Sequence, residues 1–129
     1  MAIKTTWKIN NMTHVDADGG VILAVWSLVA ASDEAYDEST GKGGETATEG
    51  GKNRFEYDAS GSGFIAYKDL KESDVLGWIY EANKGQGIDV PADETADEYK
   101  ARIEAERTAK VQAQIDRKAA QSDGLPWSA

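Results

Sequence analysis

Val21 to Ala31 is the segment that most narrows the fold. Val21, Leu23, Val25 and Val29 fall on one face of an extended chain, and Ile22, Trp26 and Leu28 fall on the other. A strand apolar on both faces belongs inside a sheet or between layers, because a strand with one solvated face alternates apolar with polar residues. Ahead of it, Ile3, Thr5, Trp7 and Ile9 alternate with Lys4, Thr6 and Lys8, the period of a half-buried strand. Asp16-Ala17-Asp18-Gly19-Gly20 separates the two segments with turn residues. The expectation is an antiparallel pair, with the second strand in the interior of the sheet.

The rest of the chain adds helices. Val75, Trp78, Ile79 and Ala82 recur at i, i+3, i+4 and i+7, which predicts an amphipathic helix over 72–83 packed on the sheet. Asn83-Lys84-Gly85 is a stop signal, and Pro91 stands near the next helix start. Residues 94–121 contain no glycine or proline and many alanines, so helix propensity is high throughout. Glu98–Arg102 and Glu106–Lys110 are correctly oriented i,i+4 pairs. Residues 32–53 are polar, acidic and glycine-rich and read as a long flexible loop, with alternation resuming at Lys52 and placing Phe55 and Tyr57 on one face. Phe64-Ile65-Ala66-Tyr67 is a short strand or the lead into a helix. The expected architecture is α+β: a small antiparallel sheet with a packed amphipathic helix, then a long C-terminal helix and a docking tail. Its parts are a β-rich body (1–83), a connector (84–93), and the helix with its tail (94–129).

The apolar residues of the long helix form a thin stripe. Tyr99, Ile103, Val111 and Ile115 lie on an i+4 track, with Arg107 in the middle position. Four-residue steps drift by roughly 40° against a 3.6-residue turn, so the stripe winds and lacks the heptad of a coiled coil. Such a stripe suits a helix that crosses another body or touches two partners. Beyond it the chain ends in Gly124-Leu125-Pro126-Trp127, a proline-held aromatic outside any periodic segment. Chain ends fray unless something ties them down. This plug docks either on its own domain or on a neighbour. Tyr99, Ile103, Val111, Ile115, Leu125, Pro126 and Trp127 are therefore the candidate interface residues.

Charge and missing residue types exclude several functions. The chain of 129 residues carries a net charge of −9, concentrated in residues 1–93, whereas 94–121 are balanced. An acidic body repels phosphate backbones and anionic lipid surfaces, which disfavours nucleic-acid and membrane partners. The absence of cysteine removes disulfides, zinc–thiolate sites, iron–sulfur clusters and thiol nucleophiles. The first residues hold no apolar signal core, and no run approaches a membrane span, so synthesis in the cytoplasm is expected.

His14 is the only histidine, and His14-x-Asp16-x-Asp18-Gly19 only superficially resembles a calcium loop. Such a loop wants an acid first and a glutamate twelfth, where this chain has His14 and Val25, so a hairpin turn is expected. Gly41-Lys42-Gly43-Gly44 lacks the spacing of a phosphate-binding loop. No two carboxylates stand out as an acid–base pair. The residues thus point to a non-enzymatic protein without metal or cofactor.

Several fragments read together in one order: Thr6-Trp7-Lys8-Ile9, Phe64-Ile65-Ala66-Tyr67, Leu70, Asp74-Val75-Leu76-Gly77-Trp78-Ile79 and the closing Gly124-Leu125-Pro126-Trp127. In these the chain resembles a family of small proteins encoded by tailed bacteriophages, cyanophages among them. Ala66 stands where that family often has proline. Lys71 stands where it often has a capping Thr or Ser, a role that Asp69 could take. The resemblance implies a virion structural protein, in capsid decoration or in the tail or fibre, assembled with other virion proteins or as a homo-oligomer. The other expectation, from the acidic charge, is an intracellular phage protein that binds a host factor.

Overall fold

The computed structural model describes residues 2–57, 59–61, 64–121 and 126–128. Strands β1 (Ile3–His14), β2 (Val21–Ser32) and β3 (Thr46–Arg54) form one antiparallel sheet in the order β1-β2-β3. The doubly apolar segment takes the central place, and the turn over 15–20 closes the hairpin with Gly19 N–H donating to the Val15 carbonyl at 2.7 Å. A bulge between Ile9 and Asn11 shifts the register, so that Ile9 lies opposite Trp26 and Met12 opposite Ala24. Both apolar side chains thereby stay on the core side.

β3 corrects the reading of 32–53 as one loop. Its register runs from Ala31 opposite Thr46 to Leu23 opposite Arg54, so the loop ends at residue 45. One of the glycines that read as loop, Gly51, is there for packing. A Cβ on Gly51 would sit 3.0 Å from the Trp26 ring, so the edge strand makes room for the indole that it covers.

One face of the sheet is covered by α1 (Glu72–Asn83) and α2 (Ala96–Ala119). Ala24, Trp26 and Leu28 of β2, Val75 and Ile79 of α1, and Tyr99 and Ile103 of α2 make one core. The Trp7 ring lies 5.5 Å from Trp26 and 4.9 Å from Tyr80, edge to face with the latter, and its indole N–H donates to Glu104 at 2.8 Å. A polar chain crosses the layers: Trp26 Nε1 donates to Asn53 at 2.9 Å, Asn53 to Asn83 at 2.8 Å, and Asn83 to the Tyr99 hydroxyl at 3.3 Å. It ties β2, β3, α1 and α2 to one another. Buried polar groups are costly without such partners.

Both helix starts are capped by local chemistry. Thr95 and Glu98 form a capping box, with Glu98 N–H donating to Thr95 Oγ1 and Thr95 N–H to the Glu98 carboxylate. At α1 the Lys71 N–H donates to Asp74 at 3.0 Å, the N3 half of a capping box, whereas Asp69, the expected substitute cap, sits in a 3-10 turn over Tyr67–Asp69. Residues 64–67 are therefore the lead into a helix.

The opposite face of the sheet is bare of any element among the described residues. Lys4, Thr6 and Lys8 of β1 and Thr46, Thr48, Lys52 and Arg54 of β3 are exposed there. Half-buried Leu23, Val25 and Val29 run between them.

Candidate interaction surfaces

α2 is part of the core, which corrects the placement of its stripe at an interface. Tyr99, Ile103 and Val111 are 5%, 7% and 0% exposed, packed within the chain itself, and Ile115 is half-buried. The winding of the stripe has a local cause, since the helix crosses the sheet from β1 and β2, where Glu104 meets Trp7, towards β3, where Gln114 meets Thr46. Ion pairs hold the crossing where apolar contacts thin out. Arg107, the break in the stripe, reaches Glu49 of β3 at 3.5 Å and donates to the Thr48 carbonyl. Lys118 meets the buried Glu45 at 3.1 Å. Burial alone would raise the Glu45 carboxyl, but the Lys118 ammonium and the Gly43 N–H outweigh it and hold its pKa below the ordinary value.

Buried Glu94, just before α2, pairs with Arg102 at 2.8 Å and accepts from the Gly85 N–H at 3.0 Å. The Arg102 hydrogen bonds, then the Gly85 N–H, hold its pKa below the ordinary value. The connector is thus fastened to both helices.

A cleft of about 360 Å³ opens beside α1, lined by Val21, Phe55, Tyr57, Phe64, Ile65, Leu70 and Trp78. Phe55 meets Trp78 edge to face at 5.7 Å, and Tyr57 lies 5.8 Å from Phe64. The Tyr57 hydroxyl donates to Asp18 at 2.8 Å, which swings its ring over the hairpin turn. Gly20 is required underneath, because a Cβ there would fall 2.0 Å from the Tyr57 ring. Among the described residues the walls are aromatic and aliphatic with one carboxylate, Glu56. Such a surface grips an apolar group and offers little for acid–base chemistry. His14 lies outside it, stacked on Tyr67 at 4.0 Å at the end of β1. Among the described residues no three His, Asp or Glu side chains gather as a metal would need.

The tail is the other apolar surface. Pro126–Ser128 form a 3-10 turn, and Trp127 is 80% exposed. Leu125 lies outside the described residues. The cleft was not foreseen from the sequence, because its walls come from separated stretches that only the hairpin turn and the 3-10 turn bring together. The bare face of the sheet was not foreseen either, since its cations are divided between β1 and a strand that read as loop.

The fold and these surfaces define a small α+β domain in which two helices cover one side of an antiparallel sheet. The chain belongs to a family described as a domain of unknown function, DUF7936, whose model matches residues 2–127. That span covers the sheet, both helices and Trp127. No curated protein and no solved structure matches the chain. No helix among the described residues is long and apolar enough to cross a membrane.

Proposed function

We propose that this chain is a non-enzymatic structural component of a tailed-phage particle, in capsid decoration or in the tail, that latches to neighbouring subunits through its C-terminal tail. The observation that carries the reading is Trp127, a large aromatic left 80% exposed beyond a helix whose own apolar stripe is already buried. Aromatic residues held clear of a fold are favoured anchors of protein interfaces. The cleft beside Trp78 is a socket of matching chemistry, so each copy carries both a plug and a place for one. The phage assignment comes from the short motifs at both ends and around α1.

The test is truncation after Asp123. The expected result is an intact thermal transition with weakened assembly. Loss of the transition with assembly unchanged would make the tail a core element and overturn the reading. Binding of a host factor is the second reading, favoured by a net charge of −9 that persists although the bare sheet face is basic. Retention of one host protein by the immobilised chain, absent from washed particles, would favour it.

A further inference from the structure

The bare face of the sheet has a charge opposite to that of the molecule. In a chain of 23 acids and 14 bases, the exposed charged residues on this face are Lys4, Lys8, Lys52 and Arg54, with no carboxylate between the strand ends. None of the four is ion-paired among the described residues. Lys4 lies opposite Ala31 and Lys8 opposite Ser27 on one side, with Lys52 opposite Val25 and Arg54 opposite Leu23 on the other. The cations therefore run diagonally across the sheet, spanning roughly 27 Å along β2 at about 3.4 Å per residue. Between them lies the aliphatic strip of Leu23, Val25 and Val29. An apolar strip framed by unpaired cations asks for an apolar group framed by carboxylates. The face has no aromatic side chain, so it lacks the stacking platform that single-stranded nucleic acid uses.

The chain carries such a complement. Tyr36 is 61% exposed in the loop that joins β2 to β3. Asp33, Glu34, Asp37 and Glu38 surround it in sequence. The loop is held from within: Asp37 N–H donates to the Lys42 carbonyl at 2.8 Å, and Gly44 N–H to the Glu34 carbonyl at 2.8 Å. The knob is thus formed before it binds, which lowers the ordering cost of docking.

We propose that the bare sheet face docks the acidic loop 33–38 of a second copy of the chain, with Tyr36 on the Leu23–Val25–Val29 strip and the loop carboxylates against Lys8, Lys52 and Arg54. The contact joins two unlike surfaces, so it either closes reciprocally in a twofold dimer or runs head to tail into a ring or a filament. Two copies of the face cannot pair with each other, since four cations would then meet four. Even at 50 mM NaCl the repulsion between two acidic molecules is screened beyond about 14 Å, whereas the docked pairs lie well inside that range. The contact is separate from the Trp127 latch and shares with it only the premise that the chain works by assembling.

Sedimentation velocity of the full chain over a concentration series tests this. Association is expected at 50 mM NaCl, weakened about tenfold at 500 mM by screening. K8E/K52E and E34K/E38K should each abolish it, and an equimolar mixture of the two should restore it as a heterologous pair. K8Q/K52Q, milder at these exposed sites, should weaken it with the thermal transition unchanged. A wild type that stays monomeric at 50 mM NaCl overturns the proposal, as does one that instead binds polyglutamate or single-stranded DNA through this face. Loss of association in W127A but not in K8E/K52E also overturns it, and leaves the tail reading standing.

Discussion

The placement of α2 in the core has a direct consequence at Val111. Its side chain is fully buried on the far half of the helix, beyond Arg107. Val111→Ala removes two methyl groups from that site. At about 0.8 kcal/mol per buried CH₂, the lost transfer energy is about 1.6 kcal/mol. The residual cavity raises the total to about 2–3 kcal/mol, because the rigid sheet beneath cannot collapse fully onto the space. For a domain of this size each kcal/mol lowers Tm by about 3–6 °C, so a fall of about 6–18 °C is expected. Differential scanning calorimetry of V111A against wild type measures it. The exposed neighbour Lys110→Ala serves as control and should stay within about 0.5 kcal/mol of wild type. A V111A protein that melts with wild type, while its association is impaired, would mean that the stripe serves a neighbour and would refute the assignment of α2 to the core.

Glu94→Gln should destabilise the fold at neutral pH and flatten its acid limb. The Arg102 hydrogen bonds hold the folded Glu94 pKa below its ordinary value of 4.5. Their contribution is therefore complete above that value and lost as pH falls through the lowered folded pKa. Thermal melts from pH 3 to 7 should show a steeper acid loss in wild type than in E94Q, and parallel curves would remove Glu94 from the account. Gly20→Ala should drive the Tyr57 ring off the turn, break its bond to Asp18 and lower Tm by several degrees; an unchanged crystal structure of the variant would contradict the packing described. With 5-fluorotryptophan at the four Trp positions, W127F identifies one ¹⁹F resonance. That resonance should respond to solvent in the free chain and lose the response on assembly, whereas shielding in the monomer would mean that the tail docks on its own chain.

Much of the fold was legible because hydrophobic period and turn chemistry agreed. β1, β2, their hairpin and α1 all announce themselves locally, and α1 spans the predicted residues 72–83. β3 was hidden because what makes it a strand is tertiary: Gly51 is shaped by the Trp26 ring, so the local sequence carries a loop signal. The long helix was legible in extent and misleading in use. Its stripe is thin because ion pairs through Arg107 and Lys118 replace apolar contacts over β3, a substitution that sequence periodicity cannot register. The exposed tail aromatic was visible in the sequence, whereas the cleft beside Trp78 needed the Tyr57–Asp18 bond to bring its walls together.

The measurement that bears most directly on the proposed function is quantitative mass spectrometry of purified phage particles, with full-length chain compared with W127A. Many copies per particle are expected for the full-length protein and marked depletion for W127A, with equal amounts of both in the lysate. Abundant chain in the lysate and none in washed particles would contradict it.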